Sequence, residues 1–296
     1  MITHTTYKNR PAIVVEGPVL RATFLPEDGG KMASLKTAEG KELLLVKEGQ
    51  AYKTLGLEGS YVASECSAFD DMCPTIDPYT PLSGAFQGET YPDHGEACRL
   101  PYAVKRENDW VTFTAKSKLF PLTYRKTVTA TDSGLAISYA VENAGEEGFP
   151  FLWAGHIMLQ GEEGMVLNTP FPGNAPTASC FCTEGYDITT LPKDRLTGFI
   201  PGKGAAYKFY YTQKIKEGRF SLSYANGKEL LFTYDGEKVP YLGVWLNNGE
   251  FQNIYNIAPE PCTIPFDAPD KAAKRGYYGE IPPKGEFSFT LTITLK

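Results

Sequence analysis

The chain has 296 residues, of which 42% are hydrophobic, 13% aromatic and 22% charged, and its formal net charge is −6. That balance supports a sizeable core and excludes a disordered chain. Lysines and arginines are scattered, as at Lys214, Lys216 and Arg219, which excludes a basic nucleic-acid surface, and no stretch reaches the roughly 18 apolar residues of a membrane span.

In chain order, the start Met1-Ile2-Thr3-His4-Thr5-Thr6-Tyr7-Lys8 is polar and reads as a frayed end. It has no apolar stretch followed by a small-residue cleavage site, so the expected location is the cytoplasm. Short β-rich runs follow at Ala12–Val15 and Leu122–Ala130. Leu135, Ile137, Tyr139 and Val141 alternate with more polar neighbours, and further runs cover Phe220–Tyr224, Leu230–Tyr234 and Tyr241–Leu246. Residues 287–295 alternate apolar and polar without a break, the period of a half-buried strand. Turn signals separate the runs at Asp28-Gly29-Gly30, Asp132-Ser133-Gly134, Asp235-Gly236 and Asn248-Gly249. Asn226-Gly227 between two strand-like runs predicts a tight hairpin. No long segment carries a helical period. The chain is predicted to be all-β, a sandwich or barrel forming a single domain over 1–296, with irregular, turn-rich regions at 64–93 and 160–205.

The six cysteines, Cys66, Cys73, Cys98, Cys180, Cys182 and Cys262, form no C-x-x-C pair, and Cys180-Phe181-Cys182 is too close for an ordinary disulfide. They read as mostly buried free thiols.

Chemistry is sought first at the histidines, because imidazole, with an unperturbed pKa of roughly 6.5, exchanges protons near neutral pH. Besides His4 there are two. His94 lies in Tyr91-Pro92-Asp93-His94-Gly95-Glu96-Ala97, and His156 ends the apolar run Phe151-Leu152-Trp153-Ala154-Gly155-His156. Both border the irregular regions, where sites on a β scaffold usually sit. The plainer alternative for each is a core or loop histidine bonded to a backbone carbonyl. Glu260 is held between Pro259 and Pro261, on a backbone with fixed φ and missing donors. It is either a solvated loop residue or, under an apolar cover, a base of raised pKa. No H-x-H or H-E-x-x-H spacing supports a metal site, and no G-x-S-x-G elbow supports a serine nucleophile. A glycosidase-type pair can be drawn from Asp70, Asp71, Asp93, Glu96 and Glu260, although Asp70 and Asp71 read more simply as an exposed turn. Trp153 and Trp245 are either core residues or platforms for the apolar face of a sugar.

Taken in order, these motifs resemble the aldose 1-epimerase, or galactose mutarotase-like, family. Pro26-Glu27-Asp28-Gly29-Gly30-Lys31-Met32-Ala33-Ser34-Leu35 with Gly40-Lys41-Glu42-Leu43-Leu44 is similar to the family's opening hairpin. Phe69-Asp70-Asp71-Met72-Cys73-Pro74-Thr75 is similar to a segment of a divergent branch. Pro92 to Ala97 with Leu100-Pro101-Tyr102, and Trp153-Ala154-Gly155-His156, resemble its two histidine motifs. Gly243-Val244-Trp245 and Pro259-Glu260-Pro261-Cys262-Thr263 resemble its closing strand and glutamate.

The resemblance implies an antiparallel β-supersandwich with a shallow sugar site and no cofactor. Glu260 would be the base, a protonated His156 the acid, and His94 a partner of the sugar near its ring oxygen. It implies an isomerase acting on a small-molecule sugar, as a monomer or homodimer. The Asn-Arg pair that typical members carry ahead of the first histidine has no counterpart before His94. Its place falls to Arg99 or Arg125, or else Asp70 and Asp71 shape a different specificity. A phosphorylated sugar would require Lys31, Arg99 and Arg125 to converge. Two other readings stand beside the isomerase. One is a non-catalytic sugar-binding or sensor protein on the same fold. The other is an oligosaccharide lyase or hydrolase with a second carboxylate near the first.

Overall fold

Where the sequence alternates, the chain forms strands, and the apolar member of each alternation turns inward. Glu286–Leu295 is the plainest case: Phe289, Leu291 and Ile293 are buried while Ser288 and Thr290 face out. The computed structural model describes residues 1–82, 86–183 and 204–296, and the backbone of 195–197.

Among these residues the strands form two large sheets and one two-stranded ribbon. The first sheet begins as a meander of Ile2–Tyr7, Arg10–Glu16, Leu20–Leu25 and Lys31–Thr37. It continues through Phe69–Met72, Ala154–Ile157, Tyr255–Cys262, Tyr241–Asn248 and Ala205–Tyr211 to an edge at Thr177–Cys182. The second runs Arg195–Thr197, Val166–Asn168, Arg219–Ser223, Glu229–Tyr234, Glu286–Leu295, Gly134–Asn143, Leu122–Thr131, Trp110–Lys116, Ala103–Arg106. Neighbouring strands pair antiparallel, and the architecture is an all-β sandwich. The Asn226-Gly227 hairpin forms as expected: the Gly227 N–H donates to the carbonyl of Tyr224 at 3.0 Å, and Gly227 takes φ +82°. No helix of the described residues is long and apolar enough to cross a membrane.

Several expectations are corrected or decided. His4 is not in a frayed end. It lies in Ile2–Tyr7, paired with Ile13 across a regular ladder that buries Ile2. Asp70 and Asp71 are not in an exposed turn. They occupy the interior strand Phe69–Met72, paired with His156 and Gly155, and are 3% and 7% exposed. Trp153 is core, 5.0 Å from the ring of Tyr139 and 4.6 Å from that of Phe289. Cys180 is exposed because its strand is the sheet edge. Cys73, Cys98 and Cys262 are buried, Cys66 and Cys182 half-buried, and all six are free thiols. The irregular region expected at 160–205 contains Val166–Asn168 and Thr177–Cys182, while 184–194 and 198–203 lie outside the described residues.

Successive residues of a strand point to opposite faces, so Asp70 and Asp71 have different partners. Asp70 meets Lys31 of its own sheet at 2.5 Å. Asp71 points between the sheets, where Lys126 of the facing sheet reaches it at 2.7 Å, its ammonium 6.0 Å from the centre of the Phe24 ring. Both members of the Asp71–Lys126 pair are almost wholly buried. Removing one partner of such a pair leaves a charge in a low-dielectric interior. Lys126→Met is therefore expected to cost about 3–5 kcal/mol in denaturant unfolding, and Asp71→Leu combined with Lys126→Met to recover most of it. A loss below about 1 kcal/mol for the single variant contradicts this account.

Candidate active site

Five adjacent strands of the first sheet present one face to a cavity of about 350 Å³. Register decides which side chains share it. Glu260 pairs with Gly243, Trp245 with Ala258, and Lys208 with both Trp245 and Phe181. Directly paired residues, and those two apart along a strand, point the same way. Glu260, Trp245, Lys208 and Phe181 therefore share a face. The pairings Ala154↔Cys262 and Leu159↔Ile257 place His156 level with Glu260. Gly243 opposite Glu260 leaves room for Tyr210, since a Cβ there would lie 2.6 Å from the ring.

His94 reaches the cavity from a tight turn. Its φ is +59° and that of Gly95 is +73°, and a Cβ on Gly95 would sit 2.3 Å from the Cys73 carbonyl oxygen. Glycine is thus required beside the histidine. The Nδ1 of His94 is 2.7 Å from Oδ1 of Asp93, whose Oδ2 accepts the Tyr61 N–H at 2.9 Å. The Tyr61 ring stacks on His94 at 4.1 Å and meets His156 edge-on at 5.6 Å. The two imidazoles are 5.9 Å apart. The Tyr61 hydroxyl donates to Asp70 at 2.9 Å, so Asp70 acts on the site only through Tyr61.

Glu260 is fully buried. Its Oε1 is 3.7 Å from Nε2 of His156, and its Oε2 is 2.7 Å from the Lys208 ammonium, which is 2.8 Å from Asp267. The contact with Lys208 is an ion pair within hydrogen-bonding distance, and it engages Oε2 alone. Burial pushes the Glu260 carboxyl above its ordinary value, and Lys208 offsets only part of that. Burial also works against charge on Lys208, but Asp267 and Glu260 outweigh it and hold the ammonium charged. Burial is likewise the largest influence on Asp267, where Lys208 overcomes it and keeps the group a carboxylate. His156 is driven well below the ordinary imidazole value by burial, then by His94, Lys208 and Lys31. Against the expectation of a protonated His156, burial favours its neutral form. At Asp93 burial pulls upward, and the contacts with His94 and the Tyr61 N–H win, leaving the carboxyl below its usual range.

Of the sequence candidates, the cavity brings together His94, His156, Glu260 and Trp245. Asp70, Asp71, Arg99, Arg125 and Trp153 do not line it. The Arg99 guanidinium is spent on the carbonyls of Gly56, Leu57, Gly59, Asp93 and Gly95, tying the 56–59 loop to the His94 turn. Arg125 lies on the second sheet, paired with Glu286 at 2.9 Å. Lys31 is held by Asp70, so Lys31, Arg99 and Arg125 do not converge. Sequence reasoning missed Tyr61, Lys208 and Asp267. Lys208 carried a signal, a charge inside Ala205-Ala206-Tyr207-Lys208-Phe209-Tyr210-Tyr211, and the other two carried none. The remaining wall is largely apolar, from Met158, Ile254, Phe181 and Phe251, with Asn247 and Gln252 as neutral polar groups. Among the described residues, no three His, Cys, Asp or Glu side chains are grouped to hold a metal ion.

No protein-family model and no curated protein matches the chain. Solved structures do. A galactose mutarotase-like protein from Lactobacillus casei is 20% identical with a TM-score of 0.69, over 96% of this chain and 100% of that one. A galactose mutarotase-like protein from Clostridium acetobutylicum is 14% identical with a TM-score of 0.67, over 100% and 98%. A galactose mutarotase related enzyme from Lactobacillus acidophilus is 15% identical with a TM-score of 0.64, over 95% and 97%. At these identities the likeness is one of fold, and the fold of this chain is the galactose mutarotase-like β-sandwich.

Proposed function

We propose that the chain is an aldose 1-epimerase, interconverting the anomers of an aldose or a modified aldose. The observation that carries this reading is the meeting of His94, His156 and Glu260, distant in sequence, on one cavity beside Trp245. Mutarotation is proton traffic at two neighbouring oxygens. Glu260 takes the proton of the anomeric hydroxyl, and a donor supplies one to the ring oxygen as the C1–O bond breaks and the C1 carbonyl forms. Rotation about C1–C2 and reversal of both transfers close the ring on the other face. A buried carboxylate whose Oε1 accepts no hydrogen bond among the described residues suits the first role. We assign the donor to His94, whose Nδ1 contact with the Asp93 carboxylate at 2.7 Å fixes the orientation of the ring. Neutral His156, between that ring and the base, serves as a hydrogen-bonding partner of the sugar. Trp245 offers its face to the sugar's C–H groups.

One observation favours a second reading. Glu260 is already neutralised by Lys208, as in a binding protein that needs no free base. The lyase or hydrolase reading has less support: the second carboxylate, Asp267, is bridged to Glu260 through Lys208 instead of facing it across an open gap.

Anomer exchange of a panel of neutral aldoses, followed by NMR, decides between catalysis and binding. The wild type is expected to accelerate at least one sugar over buffer, and Glu260→Gln to lose about 10²–10⁴-fold of that acceleration. Binding without acceleration supports the sensor reading, and full activity in Glu260→Gln removes that residue as the base. The acid limb follows from Glu260. Its folded value is raised, so the active carboxylate is lost as pH falls through a midpoint above the ordinary glutamate range. A limb at or below the range of an exposed glutamate contradicts the assignment.

A further inference from the structure

Lys208 has no part in the chemistry described above, yet it is the cation closest to the proposed base. It stands in the middle of Ala205–Tyr211, paired with Trp245, its side chain 10% exposed and its ammonium 2.7 Å from Glu260 and 2.8 Å from Asp267. Asp267 is itself fixed. Its carboxylate accepts the Tyr210 hydroxyl at 2.9 Å, and its backbone carbonyl accepts the N–H groups of Ile76 and Asp77 at 2.9 and 2.7 Å. The order is therefore an anchored carboxylate, a cation and a base, with each member positioned by the one before.

Resting on the mutarotase reading, we propose that Lys208 is a positioning residue of this site: shared between Asp267 and Glu260, it keeps the buried Glu260 ionised and occupies Oε2, so that Oε1 is left for the sugar hydroxyl. The physical need is plain. A carboxylate fully out of water takes up a proton unless a nearby cation opposes it. The other groups facing it do not replace that cation. His156, from Ala154–Ile157, is neutral. Cys262, on the strand of Glu260, is a thiol that burial pushes up and keeps uncharged, and Cys180 lies on the exposed edge strand. Lys271 is spent on Asp77, beyond Asp267. Lys31 is spent on Asp70. His94, across the cavity, favours the Glu260 carboxylate only when protonated. Asp267 acts in the opposite sense, because its negative charge favours the proton on Glu260 and competes for the ammonium.

The two neighbours thus predict opposite displacements, a signature that general damage to the fold does not produce. The Glu260 carboxyl is titrated directly by ¹³C NMR in protein labelled at glutamate Cδ, with Glu260→Gln assigning the signal, beside the pH–rate profile of anomer exchange. In Lys208→Met the midpoint is expected to rise by about one unit or more, and in Asp267→Asn to fall. Lys208→Arg is expected to hold it within about half a unit, since the charge is kept. Exchange by Lys208→Met should be reduced about tenfold or more at pH 6 and recover as pH rises past the new midpoint, with KM changed less than about threefold. An unmoved midpoint in Lys208→Met, or movement in the same direction in Lys208→Met and Asp267→Asn, overturns the proposal. Should Lys208→Met fail to fold, a rise in Asp267→Asn, or a shift beyond about half a unit in Lys208→Arg, overturns it alone. The carboxyl titration needs no turnover. Opposite midpoint shifts in a protein that accelerates no sugar establish the role of Lys208 and reject the mutarotase reading.

Discussion

A carboxylate withdrawn completely from water beside a single ammonium is the interaction around which this site is arranged. Glu260 is wholly buried and Lys208 lies 2.7 Å from it. Burial raises the affinity of the carboxyl for a proton, and the ammonium lowers it again. The balance leaves a group that holds a proton better than an exposed glutamate does. The same burial acts on His156 in the other direction and strips it of charge. One physical cause, burial, thus acts in opposite senses on a potential base and an imidazole only 3.7 Å away.

The β-sandwich supplies what that arrangement requires. Buried charges are tolerable only where partners are held rigidly, and here strand register holds them. Phe69–Met72 sends Asp70 to Lys31 and Tyr61 on one face and Asp71 to Lys126 between the sheets on the other. Tyr61 carries the effect of Asp70 to both histidines through ring contacts, and Arg99 pins the loop before Tyr61 to the turn that presents His94. Asp70 and Arg99, expected to touch a sugar, belong instead to the frame behind the residues that line the cavity.

The sequence made much of the fold legible, because alternation reports directly which face of a strand is buried. Glu286–Leu295 and the Asn226-Gly227 hairpin needed no tertiary information. The site was legible in part. His94, His156 and Glu260 stood out by residue type and local context, and register brings the last two, and a tight turn the first, to one cavity. What could not be read were partners far along the chain. Asp70 and Asp71 resemble a solvated turn until Lys31 and Lys126 are placed beside them. Arg99 resembles a ligand-binding arginine until five backbone carbonyls are found around it. Trp153 and Trp245 are alike in sequence, yet one packs between Tyr139 and Phe289 and the other borders the cavity. Asp267 carries no local mark of its role, which depends on a lysine 59 residues earlier in the chain.

The central claim is that the two interior histidines and Glu260 surround one sugar. The chain has three histidines, and His4 sits on the outer strand far along the sheet from the cavity, an internal reference. Side-chain ¹⁵N spectra of the imidazoles, recorded as aldoses are added, test the claim directly. The account predicts that a bound sugar moves the signals of His94 and His156 together, with one saturation curve, and leaves His4 unmoved. Saturable sugar binding that moves neither His94 nor His156 contradicts it.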